Sequence, residues 1–287
     1  MRPKIGLVLG GGGSRGLAHI GVLEVLAREN IPIDLIVGTS MGAIIGTLFA
    51  LGLPPAQIRE YMTQWRGSNV FTMNLFSARA RQRMVKDQLK RVMHDKTFAD
   101  LHIPVVVMAV DMLSGREVAL DSGALVPAVL ASSAVPGVFP PVEIEGMHLA
   151  DGGVVDSLCT ETAFTHGAEK VIAVDIHPRL EQNGWSDPLA AIMGIELPFN
   201  VLSSDPKSPS MVSALYRSIR IMTWNLHDKR LALYPPDVLL RPDVGAYGSL
   251  DFKDLDGPLM AGRTEAENYL LLMKALLDTP RQTRARA

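Results

Sequence analysis

The chain is poor in several things, and each shortage excludes something. Its 287 residues contain one cysteine, Cys159, so no internal disulfide framework is expected, and a small buried side chain in a reducing compartment is the natural role for it. Positive charge is not in excess: 28 Lys and Arg stand against 30 Asp and Glu, for a net charge of −2. The basic field that draws a protein to nucleic acid is missing, and nucleic acid is not an expected partner. No uninterrupted apolar run reaches about 18 residues, so no transmembrane helix is expected. Met1-Arg2-Pro3-Lys4 runs straight into a stretch broken by glycines, without the apolar run and cleavage site of a signal peptide. There is no internal repeat, no long low-complexity segment and no cluster of metal-ligand spacing. No metal or other cofactor is expected.

What is present is enough apolar material for a sizeable core, 47% of residues, arranged as one larger globular domain over 1–287. Strand candidates near 5–9, 34–37, 104–110, 147–150 and 170–175 alternate with helical stretches. That order predicts an α/β fold, a three-layer α/β/α sandwich with a mainly parallel central sheet and right-handed crossovers.

Two motifs sit at successive strand-to-helix corners. Gly10-Gly11-Gly12-Gly13-Ser14-Arg15-Gly16 follows the apolar Ile5–Leu9 and opens onto a helical pattern from Leu17; Gly38-Thr39-Ser40-Met41-Gly42 follows Leu35-Ile36-Val37 and precedes Ala43–Phe49. Gly11, Gly13 and Gly16 fit a dinucleotide loop, G-x-G-x-x-G. Its ribose-binding acid belongs at the far end of the second strand, however, whereas Asp34 stands at the near end. A nucleotide-phosphate loop needs Lys-Ser or Lys-Thr after the last glycine; Leu17-Ala18 stand there. A third reading takes G-x-S-x-G as a nucleophile elbow, with Ser40 thrust out at the carboxyl ends of the strands and the N–H groups of the glycine run facing an oxyanion. Arg15 is expected to pin the loop through carboxylate contacts. Plain tight turns of an α/β fold are the fourth reading.

A serine nucleophile needs a base. His19, His148 and His227 are candidates, and each also reads as a surface or satisfied histidine. Asp175 and Asp111 end apolar strands and read as rim aspartates that orient loops. Asp151 is the stronger candidate, because Met147–Ala150 delivers it to a rim and Gly152-Gly153 lets the chain turn sharply and another backbone come close. An ordinary aspartate-glycine turn is the alternative.

Gly11–Gly16, Gly38–Gly42 and Asp151-Gly152-Gly153, in that order, resemble the three signatures of the patatin-like phospholipase family. Ala131–Pro141 resembles the stretch that precedes the family's catalytic aspartate. The similarity runs from about Lys4 to Asp175, closest to the bacterial branch, with a weaker echo in Pro242-Asp243-Val244. It implies a patatin-like fold and a metal-free Ser-Asp dyad without histidine that hydrolyses lipid esters through an acyl-enzyme. Ser40 would be the nucleophile and Asp151 the general base and acid. Gly11, Gly12, Gly13, Ser14, Arg15 and Gly16 would form the oxyanion hole, Gly38, Thr39, Met41 and Gly42 the elbow, and Gly152 and Gly153 the aspartate motif. Asp156-Ser157 departs from the Asn-Pro of bacterial relatives and puts a negative charge near the base. An aspartate with a pKa near 3.9 is a feeble base at neutral pH, so burial must raise it.

The partner implied is a lipid or acyl-ester substrate, and the location implied is cytoplasmic, with peripheral contact at the inner membrane face. Val70–Phe76 before the basic Arg79–Arg83, and the proline-flanked 185–201 read as a flap, are the segments expected to meet lipid. Met211, Leu215, Ile219, Met222 and Leu226 recur at helical spacing. They predict a helix packed on the domain within a C-terminal helical region of about 180–280, with a membrane-surface helix as the alternative. The basic tail Arg281–Arg286 is expected to fray.

Overall fold

A computed structural model describes residues 2–66, 78–177, 211–249 and 252–278. Its strands are β1 (Ile5–Leu9), β2 (Leu35–Thr39), β3 (Val105–Asp111), β4 (Glu117–Leu120), β5 (Val142–Ile144), β6 (Met147–Asp151), β7 (Lys170–Val174) and β8 (Val238–Leu240). The helices are α1 (Ala18–Arg28), α2 (Met41–Ala50), α3 (Pro55–Arg66), α4 (Ala78–Met93), α5 (Leu125–Ser132), α6 (Thr160–Thr165), α7 (Met211–Leu233), α8 (Asp256–Asn268) and α9 (Leu270–Leu277). The five strands expected from sequence are all present. β4, β5 and β8 were not foreseen; they are three or four residues long and too short to carry a periodic signal.

The sheet is mixed and mostly parallel. β3, β2, β1, β7 and β8 run parallel in that order, while β4 and β6 are antiparallel to β3, and β5 extends β6. β1, β2 and β3 are buried along their whole lengths, as strands covered on both faces must be. Their alternation divides the interior. Ile5, Leu7, Leu9, Ile36, Val105 and Val107 face a large core shared with α1 to α5, α8 and α9. Val8, Val37, Val106, Met108 and Ala173 face a smaller one that holds Leu158, Cys159 and Ala163, with Leu231 of α7 against it. The result is the three-layer arrangement.

The pairing of β3 positions the site. Met108 pairs with Thr39 of β2 and Ala119 of β4; Ala109 pairs with Val118 of β4 and Asp151 of β6. Since β4 takes one edge at both positions, β2 and β6 must share the other. β6 therefore arrives head-on in the line of β2, and Asp151 stops one residue along β3 from the partner of Thr39. Ser40 is the next residue after Thr39.

The helix predicted around Met211–Leu226 forms, but its apolar stripe does not pack inward. Met211, Leu215 and Met222 are 85%, 60% and 61% exposed, and Ile219 and Leu226 are exposed too. Apart from Leu231, the inward face is polar: His227 is buried and Arg230 is paired with Asp156 and Glu117. A pattern of apolar residues alone cannot reveal a face whose burial rests on paired polar groups. Arg79–Arg83 lies in α4, where Arg81 donates to the Val138 carbonyl at 3.0 Å. Val70–Phe76, 185–201 and the tail fall outside the described residues.

Gly42, in the first turn of α2, lets this helix press against β1: a Cβ there would lie 2.0 Å from the Leu9 carbonyl oxygen. Gly42→Ala is expected to lower the unfolding free energy by about 2–3 kcal/mol through overpacking, as read by chemical denaturation.

Candidate active site

Ser40 occupies the corner between β2 and α2 with φ 53° and ψ −119°, a conformation that costs a non-glycine residue about 1–3 kcal/mol. The surroundings hold it there. Its N–H donates to Ser132 Oγ at 2.9 Å, and Ser132 Oγ donates to the Met108 carbonyl at 2.6 Å. Ser132 was not singled out from sequence, since an unremarkable serine in an alanine-rich helix end carries no signal of such a contact. The α2 N-terminus starts at Met41, so the partial positive charge of the helix lies at Ser40.

Asp151 accepts from Gly153 N–H at 2.8 Å, and the Ser40 side chain lies close enough to favour its ionised form. Burial, opposed by those two neighbours, raises its carboxyl from the ordinary value near 3.8 to about 6. Asp156 does not figure among these causes. Its carboxylate accepts from Leu158 N–H and lies 3.2 Å from Arg230 Nη1, so its charge is compensated locally.

The glycine run stands beside the serine. A Cβ on Gly11 would lie 3.4 Å from Ser40 Cβ, and Gly13 lines the same cleft as Ser40. The six residues read as an oxyanion hole do not, however, all offer free donors. Gly11 N–H goes to the Ser157 carbonyl at 2.9 Å and Ser14 N–H to the Ser249 carbonyl at 2.7 Å. Among the described residues, Gly12 and Gly13 N–H have no protein acceptor. Sequence could not separate these, because the carbonyls that take Gly11 and Ser14 come from about 150 and 235 residues away. Arg15 pins the loop: its Nε donates to the Tyr247 carbonyl at 2.7 Å and its Nη1 to Ser249 Oγ at 3.1 Å. With Ser14 Oγ on the Gly248 carbonyl at 2.6 Å, residues 247–249 form a strap across the loop. Gly13, at φ 62°, has no room for a Cβ, which would meet the Ser249 carbonyl at 1.8 Å.

Ser40 opens onto a small cleft lined by Met41, Ile44, Trp65, Val85, Phe139 and Phe252 among others. Its walls are apolar, so an acyl chain would find hydrocarbon contacts there and a polar substrate would not.

The remaining candidates fall elsewhere. His19 is fully buried, its Nε2 lies 2.8 Å from the Gly10 carbonyl, and burial lowers its pKa to about 4; it is a neutral ring serving the loop. His148 is exposed on β6. Asp111 accepts from Leu113, Ser114 and His148 N–H and orders a turn. Asp34 accepts from Ile5 N–H and pairs with Arg2, at the rim opposite Ser40, so the dinucleotide reading has no ribose acid. His227 is not a surface residue: with Asp175, His177 and Ser157 it forms a buried polar cluster. Among the described residues, no group of ligating side chains could hold a metal ion.

A family profile described as Patatin-like phospholipase matches residues 7–164. The chain belongs to the patatin-like phospholipase family. Among curated proteins, Lysophospholipase nte1 of Emericella nidulans is 28% identical over 287 residues, spanning 96% of this chain and 19% of that protein. Lysophospholipase NTE1 of Coccidioides immitis is 30% identical over 283 residues, 94% of this chain and 18% of that one. The chain thus spans about a fifth of the length of these relatives. Among solved structures, VipD from Legionella pneumophila matches with a TM-score of 0.53 at 12% identity, over 96% of this chain and 67% of that one, a likeness of fold.

The raised carboxyl predicts two pH effects of opposite sense. If Asp151 acts as a base it must be ionised, so kcat/KM for an ester should fall as pH drops through about 6 and level off above 7. For stability, a carboxyl raised on folding disfavours its ionised form in the folded protein, and this burden is absent below pH 4 and complete above pH 6. Asp151→Asn should therefore raise the thermal midpoint at pH 8 by roughly 5 °C and give no gain at pH 4.

Proposed function

We propose that the protein is a serine lipid acyl hydrolase of phospholipase, lysophospholipase or carboxylesterase type, working through a Ser40-Asp151 dyad. The observation that carries this reading is the strained Ser40, set beside a buried Asp151 with a raised pKa by the pairing of β2 and β6 on β3, at the mouth of an apolar cleft. Ser40 Oγ attacks the ester carbonyl as Asp151 takes its proton, and the oxyanion forms against Gly12 and Gly13 N–H. Asp151 then hands the proton to the departing alkoxide. Water, deprotonated by Asp151, attacks the acyl-enzyme; the acid is released and the proton returns to Ser40. A single carboxyl thus serves as base and acid in both halves. An alkoxide leaving group needs less protonation than an amine, which favours esters.

Two other outcomes of the same chemistry remain distinct: transfer of the acyl group to an acceptor other than water, or a regulatory protein with incidental hydrolysis. Purified protein treated with a fluorophosphonate should carry the adduct on Ser40. Ser40→Ala and Asp151→Asn should each cut turnover of short and long acyl esters by about three orders of magnitude or more. A folded protein that is not labelled at Ser40 would sink the acyl-enzyme.

The exposed stripe of α7 supports a second part of the proposal, peripheral contact with a membrane surface at the cytoplasmic side. Met211, Leu215, Ile219, Met222 and Leu226 fall on one exposed side of the helix, whereas His227 is buried. Leu215→Glu with Met222→Glu should weaken co-flotation with phospholipid vesicles at least about fivefold while hydrolysis of a soluble short-chain ester is unchanged. Equal flotation of the two proteins would remove α7 as the contact.

A further inference from the structure

The chain holds a second serine, histidine and aspartate in a row, away from the cleft. Ser157 Oγ lies 3.2 Å from His227 Nδ1, and His227 Nε2 lies 3.2 Å from Asp175 Oδ2. Asp175 also receives Arg241 Nε at 3.1 Å and His177 N–H at 3.0 Å. The His177 ring stacks on His227 with centroids 4.8 Å apart, and its Nδ1 is 3.4 Å from Ser157 Oγ. Ser157, Asp175 and His227 are all at least nine-tenths buried. A carboxylate can only accept, so Nε2 of His227 carries a proton, and Nδ1 is the ring atom that faces the Ser157 hydroxyl.

Nucleophilic attack is not what this row is built for. None of its residues lines the cleft beside Ser40, and the backbone of Ser157 is already engaged. Its carbonyl accepts Gly11 N–H at 2.9 Å. That bond joins the row to the glycine loop, immediately before Gly12 and Gly13. On the other side of Ser157, Asp156 is held by Arg230, three residues along α7 from His227. One turn of α7 therefore grips both residues 156 and 157.

We infer that Ser157, His227 and Asp175 form a positioning relay that sets the register of the oxyanion loop: α7 holds the Ser157 hydroxyl, and the Ser157 carbonyl holds Gly11. A buried polar network with its members paired admits one arrangement, and a donor displaced by about 1 Å costs about a hundredfold in rate. His227 and Ser157 are positioning residues here. The relay also gives a role to the departure at Asp156-Ser157, since a proline at 157 would have no hydroxyl to offer His227. The inference rests on the reading of Gly12 and Gly13 as oxyanion donors.

The test uses the full chain with p-nitrophenyl butyrate as substrate and a fluorophosphonate as label. Ser157→Ala, which removes one oxygen, and His227→Ala should each lower kcat about 10- to 100-fold with KM within twofold, and slow labelling of Ser40 by the same factor. His227→Asn, which returns a hydrogen-bonding group near the Nδ1 position, should recover most of the loss. A merely structural role would instead lower the thermal midpoint and raise KM along with the fall in kcat, without recovery in His227→Asn. If wild type labels at Ser40 and Ser157→Ala labels equally fast, the relay is wrong and the dyad stands. If wild type labels on Ser157 and not on Ser40, the dyad and the relay both fall.

Discussion

Everything at the candidate site depends on one edge of β3. β2 and β6 meet that edge from opposite directions, so Thr39 and Asp151 pair with the consecutive residues Met108 and Ala109. The chain ends of both strands are thereby held by main-chain hydrogen bonds to one rigid, fully buried strand. Ser40 and Asp151 become neighbours without either of them having to be steered by a flexible loop. Ser132 uses the same strand, bridging Ser40 N–H to the Met108 carbonyl. Gly152, whose Cβ would lie 2.8 Å from that carbonyl, keeps the turn after Asp151 tight against it.

The same edge explains how the fold tolerates what the site costs. A serine at positive φ and a buried carboxyl whose charge is disfavoured are each worth a few kcal/mol against folding. Neither can relax. Moving Ser40 would break its bond to Ser132 and pull α2 away from Leu9, where Gly42 leaves no spare space. Solvating Asp151 would require opening β6 from β3. The strain is held in place by a sheet whose central strands are buried on both faces, which is the part of the molecule with the most apolar surface to lose.

The sequence made the strands and the two corner motifs legible because both are local: five runs of apolar residues, glycines where the chain turns, and a serine between two of them. The direction of β6 was not legible. A five-residue strand reads the same parallel or antiparallel, and only its pairing with Ala109–Asp111 decides. The division of labour within the glycine loop was equally hidden. Gly11 and Gly12 are identical as letters, yet one N–H is spent on the Ser157 carbonyl and the other is not. His227 shows the same limit from the opposite side. Its neighbours Asn225, Asp228 and Lys229 read as a solvated helix face, and it is buried because Asp175 and Ser157, 52 and 70 residues away, meet it there.

The two serines, 40 and 157, differ in what would make one hydroxyl reactive, as proposed for Ser40, and leave the other held. Proximity to a base does not set them apart, since Ser157 has an imidazole at 3.2 Å and a carboxylate behind it. The difference lies in the backbone. At Ser40 the main chain is bent into a conformation that turns the side chain out toward an apolar cleft, next to N–H groups among which Gly12 and Gly13 keep their donors. At Ser157 the main chain is a strut, with its carbonyl committed to Gly11 and its hydroxyl facing the Nδ1 edges of two stacked rings. Imidazole chemistry is thus confined to holding the loop, and the proton transfer proposed for the ester falls to a carboxyl. That carboxyl suits the task only because burial lifts it to about 6, so the base and the apolar surroundings that raise it belong to one design.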